Sequence, residues 1–375
     1  MAGVASPTLP HVLVIGGCGF LGSHIVHALL EHPSRPTVSV VSRSPTRNLV
    51  DGANYHAGDI SKQSAFEAIL STLRPTIIIN AASPLAKAGG QASAATTIAG
   101  TRLSLACAAE CPSVKDYIYI SSSSIVTGAP FSLLTESTAT LIDPASHHDP
   151  YSAAKATADT MVLTANHPPQ LRTAVLRPSG IIGERDTQVI PGLLTALGQG
   201  MARIQLGDGK SKFEFVYAGN VADACVCCAE AMVRETEQEE ASEMEGGPQG
   251  QKVAGEAFFI TNGEPIEFWG FARLVWRLAG DRTPREKIIV VPMWLAFFVA
   301  WMAEWTVWAL SAGTKRPEKF NKSQMENCSL DRTFDITKAK ERLRWEPKVS
   351  LEEGARRGVE WAVKNRAERR GKKSA

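Results

Sequence analysis

His11-Val12-Leu13-Val14-Ile15 runs directly into Gly16-Gly17-Cys18-Gly19-Phe20-Leu21-Gly22 and then into Ser23-His24-Ile25-Val26-His27-Ala28-Leu29-Leu30. A β-branched run, a glycine turn and a stretch with helical apolar spacing therefore stand in the order strand, turn, helix. Gly16 permits the tight turn, Gly19 lets the backbone approach a pyrophosphate, and Gly22 allows the helix to pack closely on the strand. Phosphates then sit on the free N–H groups of the first helical turn, where Phe20 and Leu21 stand. The unit predicts a dinucleotide site at the head of an open sheet.

Working outward, short β-branched runs alternate with helical patterns through the first half of the chain. Candidate strands are His11 to Ile15, Thr37 to Val41, Thr76 to Asn80, Tyr117 to Ile120 and Thr173 to Leu176. The expected fold is α/β, a Rossmann-type doubly wound parallel sheet with a smaller C-terminal substrate-binding part. The expected division is a tail over 1–10 and a nucleotide-binding domain over 11–230, with substrate-side elements from about 178. A loop over 231–256, a substrate-binding part over 257–363 and a basic tail over 364–375 follow. Residues 234–254 read RETEQEEASEMEGGPQGQKVA, acidic and then rich in Gly and Gln, which predicts a solvated loop. The tail KNRAERRGKKSA is expected to fray.

The 375 residues are 44% hydrophobic and 21% charged, enough for a sizeable core. A net charge of +2 argues against a nucleic-acid partner, which selects a concentrated basic face. Seven cysteines, an odd number with no facing CxxC pairs at zinc-ligand spacing, read as reduced thiols in a cytosolic redox compartment, with no metal site. The start MAGVASPTLPH has no positive region ahead of an apolar run and does not read as a secretory signal.

Asp149-Pro150-Tyr151-Ser152-Ala153-Ala154-Lys155 carries Tyr and Lys four residues apart, on one face of a helix. Free tyrosine titrates near ~10, so lowering it about three units takes about 4 kcal/mol. A neighbouring ammonium supplies part of this, and the positive charge of an oxidised nicotinamide adds more. The phenolate can then take an alcohol proton as hydride departs, while Lys155 also holds the nicotinamide ribose. About thirty residues upstream, Tyr117-Ile118-Tyr119-Ile120 ends in Ser121-Ser122-Ser123-Ser124. The C-terminal end of a parallel strand faces ligand, so one of these hydroxyls can polarise a substrate oxygen.

NAD enzymes usually place a carboxylate at the tip of the second strand for the ribose 2′-hydroxyl. Here the run is Val40-Val41-Ser42-Arg43-Ser44, with Arg47 close behind. A hydroxyl at Ser42 and a guanidinium at Arg43 suit the 2′-phosphate of NADP, which is favoured over NAD.

The glycine turn, Asp59-Ile60, Asn80-Ala81-Ala82-Ser83-Pro84, the serine run, Tyr151–Lys155 and Leu176-Arg177-Pro178-Ser179-Gly180-Ile181-Ile182-Gly183 together resemble the extended short-chain dehydrogenases. Within them the chain is similar to the 3β-hydroxysteroid dehydrogenase group, especially the decarboxylating sterol-4α-carboxylate 3-dehydrogenases. Phe215-Val216-Tyr217-Ala218-Gly219-Asn220, Ala257 to Asn262, Phe334 to Lys340 and Trp345-Glu346-Pro347 add to the resemblance, which covers about 11 to 363. It implies that Asp59 and Ile60 flank adenine, and that Ala81, Ala82, Ser83, Pro178, Gly180 and Ile181 join the cofactor site. It makes Tyr151 the proton acceptor and Lys155 its partner. The family's serine falls on Ser122 counted from the strand and on Ser123 counted back from Gly128. Many relatives carry an acid where Ser42 stands, and commonly an Asn where Thr97 stands. The implied reaction oxidises a 3-hydroxyl beside a C4 carboxylate, giving a β-keto acid that loses CO₂ without a metal. Alternatives are a ketone reductase, a 3β-hydroxysteroid dehydrogenase with isomerase activity, a sugar-nucleotide epimerase, and a redox sensor that binds cofactor without catalysis. A complete Ser–Tyr–Lys set argues against the sensor.

Pro292 to Gly313 reads PMWLAFFVAWMAEWTVWALSAG, with eleven apolar residues from Met293 to Ala303 before Glu304. A span needs ~20, so an in-plane anchor or a core helix is favoured over a crossing one. Trp294, Trp301, Trp305 and Trp308 suit the headgroup level. The resemblance implies the endoplasmic-reticulum membrane, cytosolic face, with a cytoplasmic enzyme as the alternative. Lys372-Lys373 near the end matches a dilysine retrieval signal. Expected partners are a small hydrophobic sterol or terpenoid and a membrane surface; monomer and homodimer stay open.

Overall fold

The structure is a computed structural model that describes residues 7–83, 90–147, 149–245, 252–310 and 329–374. Its centre is a seven-stranded sheet of β1 (His11–Ile15), β2 (Thr37–Ser42), β3 (Asn54–Ala57), β4 (Ile77–Asn80), β5 (Asp116–Ile120), β7 (Arg172–Pro178) and β12 (Glu256–Ile260). The order is β12-β7-β5-β4-β1-β2-β3, and every pairing is parallel. β1 pairs with both β2 and β4, so the winding reverses beside it. Ligands of open α/β sheets bind outside the strand ends at such a reversal, and the glycine turn leaves β1 there.

Helices on both faces explain why the inner strands β1, β4 and β5 are buried along almost their whole length rather than alternating. Val12 and Val14 pack toward α1 (Phe20–Leu30) and α6 (Ala218–Glu245). Leu13 and Ile15 pack toward α2 (Gln63–Leu73), α3 (Gly90–Glu110) and α4 (Pro150–Thr164). Four short strands, β6 (Phe131–Leu134), β10 (Lys212–Phe213), β13 (Ile266–Glu267) and β15 (Arg332–Phe334), form a second sheet; β8 (Gly180–Ile182) pairs with β11 (Phe215–Tyr217), and β9 (Ile204–Leu206) with β14 (Ile289–Val291). A separate core joins α5 (Val189–Gly198), α7 (Phe268–Leu278) and the C-terminal helix Leu351–Ser374 through Ile190, Phe271, Val275, Ala355 and Val359. Phe215 stacks on Phe271 there at 3.9 Å.

Two segments differ from the sequence expectation. The acidic stretch is not a loop up to residue 245, because α6 continues to Glu245. Its Glu, Gln, Ala and Met residues favour helix and no Gly or Pro interrupts them. Buried Glu235 also accepts the backbone N–H groups of Val253 and Ala254, each at 2.9 Å. Residues 246–251 lie outside the described residues. The basic tail is helical to Ser374, where Lys and Arg suit the negative end of the helix dipole.

The apolar segment forms α8 (Met293–Leu310). Among the described residues no helix is long and apolar enough to cross a membrane. The core alternative also fails for the indoles: Trp294 is 70% exposed, and Trp301, Trp305 and Trp308 are at least half exposed. Ala296, with Met293, Phe297 and Leu206, is where α8 meets the body. Residues 311–328, including Cys328 and the end of the expected 292–313 segment, lie outside the described residues. The other six cysteines are free thiols.

Candidate active site

The glycine turn is shaped by close backbone approach. Gly16 has φ +80°, and its N–H donates to the Val41 carbonyl at 2.9 Å. A Cβ on Gly16 would lie 2.8 Å from Ala82 Cα, and one on Gly22 would strike the Gly16 carbonyl. Gly19 is different. It is exposed at the N-cap of α1, and its Cβ would meet only the Gly16 oxygen, at 3.1 Å. Its open face is where a pyrophosphate can approach the free N–H groups of Phe20 and Leu21. Gly17, to which the sequence reading gave no role, is needed for packing, since its Cβ would fall 2.7 Å from Val40 Cγ1.

The adenosine end is built from the tips of β2 and β3. The Gly58 N–H donates to the Ser42 carbonyl at 3.0 Å and so brings Asp59 and Ile60 beside Ser42 and Arg43. The Asp59 carboxylate is engaged locally by the Ser61 N–H (3.0 Å) and hydroxyl (2.7 Å), which hold it below its ordinary range. Ile60 packs against Gly100. Ser42 stands near the Cys18 thiol, and Arg43 is exposed. Arg185, absent from the sequence reading, reaches the first turn of α1 and donates to Ser23 Oγ at 3.0 Å. No local motif announces it. Across the turn, Ala81 donates to the Ile15 carbonyl and Ala82 to Asn80 Oδ1. Pro84 of this segment lies outside the described residues.

At the other end, Asp149 caps α4, accepting from the Ser152 N–H at 3.0 Å and the Ser152 hydroxyl at 2.6 Å, with Pro150 at the first helical position. That fixes Tyr151 in the first turn and Lys155 one turn on. Lys155 is buried, donates to the Ile120 carbonyl at 2.6 Å, and stands 4.9 Å from the centre of the Tyr119 ring. Burial pulls its pKa down to about 8, against the opposing pull of Asp159.

The hydroxyls of Ser122 and Ser83 stand near the Tyr151 phenol and lower its pKa. Of the two serines left open above, Ser122 therefore meets Tyr151. It caps the short turn Ser123–Ile125, accepting from the Ser124 N–H at 3.1 Å. Burial pushes the Tyr151 phenol above its ordinary value, and the two serines pull it back. In this arrangement the Lys155 ammonium is turned to the Ile120 carbonyl. Ser83, expected at the cofactor, also stands near Tyr151. Pro178 ends β7 and Ile181 lies in β8 beside it. Gly180 has a packing reason, since its Cβ would lie 2.8 Å from Phe215. Ser179 between them is buried with its hydroxyl unpaired, as is Ser121 beyond β5, so two donors stand ready at these strand ends.

The open Gly19, the paired strand tips and the buried lysine fit an extended dinucleotide laid across the sheet from Ser42 to Lys155. The sequence profile of the 3-beta hydroxysteroid dehydrogenase/isomerase family matches residues 13–292. The chain is 32% identical over 354 residues to the decarboxylating sterol-4-alpha-carboxylate 3-dehydrogenase of Schizosaccharomyces pombe, covering 93% of this chain and 96% of that one. It is 30% identical to the enzyme of the same name from Saccharomyces cerevisiae, covering 93% and 97%. Among solved structures, the fold is shared with UDP-glucose 4-epimerase from Thermotoga maritima (TM-score 0.66, 24% identity, 95% and 99% covered). It is also shared with dTDP-glucose 4,6-dehydratase from Bacillus anthracis in complex with NAD (TM-score 0.66, 20% identity, 96% and 98% covered). The chain belongs to the 3-beta hydroxysteroid dehydrogenase/isomerase family and is an NAD(P)-dependent oxidoreductase of the extended short-chain dehydrogenase type.

Proposed function

We propose that the chain oxidises the 3β-hydroxyl of a 4α-carboxysterol, or a closely related polycyclic terpenoid, to a ketone that then loses the carboxyl as CO₂. The carrying observation is that full-length similarity to two enzymes of that name coincides with Ser122, Tyr151 and Lys155 gathered at the end of β5. A bound nicotinamide dinucleotide supplies the hydride acceptor. Ser122 donates to the substrate oxygen and fixes its position. Tyr151 Oη takes the hydroxyl proton as the C3–H bond breaks. Burial keeps the phenol protonated until positive charge stands beside it, so proton transfer is tied to a loaded site. Lys155 contributes that charge in part and offers its remaining N–H groups to ribose hydroxyls. In the resulting β-keto acid the C4–carboxyl bond breaks, its electron pair passes to the C3 carbonyl, and C4 is reprotonated. That step needs no further group from the protein.

Ser42 and Arg43, with no acid at the β2 tip, favour NADP over NAD. The same preference favours, as a second reading, a reductase of a polycyclic ketone. The outward face of α8 continues the exposed Ile289 and Val290 of β14 and adds Trp294, Phe298, Val299, Trp301, Met302, Trp305 and Trp308. That face suits a helix lying in the bilayer interface, on the cytosolic side of the endoplasmic reticulum. A panel of 3-hydroxysteroids with and without a 4-carboxyl tests substrate class. Tyr151→Phe should lower turnover at least ~100-fold with cofactor affinity retained. Near-normal turnover of this variant removes Tyr151 from the chemistry.

A further inference from the structure

One helical turn beyond Lys155, Asp159 is completely buried, and its partner Arg177 near the end of β7 is buried as well. The pair is bidentate: Arg177 Nε donates to Asp159 Oδ2 at 3.0 Å and Nη2 donates to Oδ1 at 2.7 Å. The Phe259 ring flanks the guanidinium, 5.9 Å from its centre. Three ionic side chains are thus sunk in one layer between α4 and the sheet, carrying two positive charges and one negative. A buried pair is a poor source of stability, because desolvation offsets most of its attraction. Its place beside the lysine needs another account.

We infer that Asp159 is a positioning residue for the reaction: held by Arg177, its carboxylate keeps the buried Lys155 ammonium charged and aimed at the strand end. The inference rests on the Tyr151–Lys155 reading above and deepens it. Lys155 makes a hydrogen bond to the Ile120 carbonyl, a neutral acceptor that leaves the ammonium charge uncompensated. The charged and titratable groups around it can be named. Tyr151 and Asp149 stand on or before α4, Tyr119 comes from β5, Arg177 from β7, and α3 presents the non-titrating Thr97 and Thr101. Of these neighbours only Asp159 pulls the lysine's proton affinity upward, opposing its burial. Arg177 fixes the carboxylate in a fork that a monodentate partner could not impose.

The two partners have opposite electrostatic signs, and this separates positioning from mere structure. Asp159→Asn removes the negative charge and unmasks the guanidinium, so Lys155 loses its proton at lower pH. The alkaline limb of the kcat–pH profile should fall by at least ~1 unit, and turnover near pH 8.5 should drop about tenfold. Arg177→Met removes the positive charge and should leave that limb in place or raise it. Asp159→Glu keeps the charge and should keep the limb. The double variant Asp159→Asn/Arg177→Met leaves no bare buried charge, and its limb should lie below that of wild type and above that of Asp159→Asn, so the comparison with wild type carries the test if a single variant fails to fold. A purely structural pair predicts lower melting temperatures with all limbs unmoved, and that result overturns the inference. Tyr151→Phe, run alongside, tests the underlying reading separately, because it abolishes turnover without reference to Asp159.

Discussion

Gly19→Ala and Gly22→Ala separate binding from folding at the turn. In Gly22→Ala the new Cβ would collide with the Gly16 carbonyl oxygen and lie 2.8 Å from both the Gly16 carbonyl carbon and Gly17 Cα. Ordinary contact begins near 3.4 Å, and every atom met is backbone, so α1 must retreat from the turn by at least about 0.6 Å. Such overpacking costs about 1–3 kcal/mol, and the retreat also carries the N–H groups of Phe20 and Leu21 away from any phosphate. In Gly19→Ala the only neighbour is the Gly16 oxygen at 3.1 Å, and φ is −77°, which alanine tolerates. Its melting temperature should stay within a degree or two of wild type. The added methyl stands in the pyrophosphate's path, so dinucleotide affinity should fall tenfold or more. Thermal melts and titration of reduced cofactor by its fluorescence read both quantities. Wild-type affinity in Gly19→Ala refutes the placement of the pyrophosphate, and an unchanged melt in Gly22→Ala refutes the packing argument.

Two further outcomes are expected. The enzyme should show a higher kcat/KM with NADP than with NAD, and Ser42→Asp should reverse this by setting a carboxylate against the 2′-phosphate; a tenfold wild-type preference for NAD contradicts the reading of Ser42 and Arg43. The protein should sediment with membranes, resist high salt and be released by detergent. Replacing the exposed Trp294, Trp301 and Trp305 with Ser should yield soluble, active enzyme, because these rings support no core; loss of activity with aggregation would contradict that placement.

The strand–turn–helix unit and the Tyr151–Lys155 spacing were legible because their geometry is local: a glycine pattern and an i,i+4 face are written in consecutive residues. The sequence favours Ser122 over Ser123 only by counting from the strand end, whereas its place near Tyr151 depends on the short turn Ser123–Ile125 that it caps. Asp159 and Arg177 are eighteen positions apart on different elements, and only packing of α4 on β7 reveals the fork. Gly17 carries no motif role and Gly180 is expected at the cofactor, yet what both avoid is a side chain distant in sequence, that of Val40 or Phe215. The acidic stretch was read by composition, which cannot show that Glu235 caps the returning chain at Val253. The apolar run around Trp301 has no polar face, so periodicity could not distinguish core from surface, whereas exposure does.

The most direct test of the proposed reaction is to incubate the purified enzyme with a 3β-hydroxy-4α-carboxysterol and oxidised cofactor, and to follow reduced cofactor and CO₂ together. One CO₂ should be released for each cofactor reduced, the 3-ketone lacking the carboxyl should accumulate, and both signals should vanish in Tyr151→Phe. Cofactor reduction without CO₂ release, or turnover only with sterols that lack the 4-carboxyl, would contradict the proposed reaction.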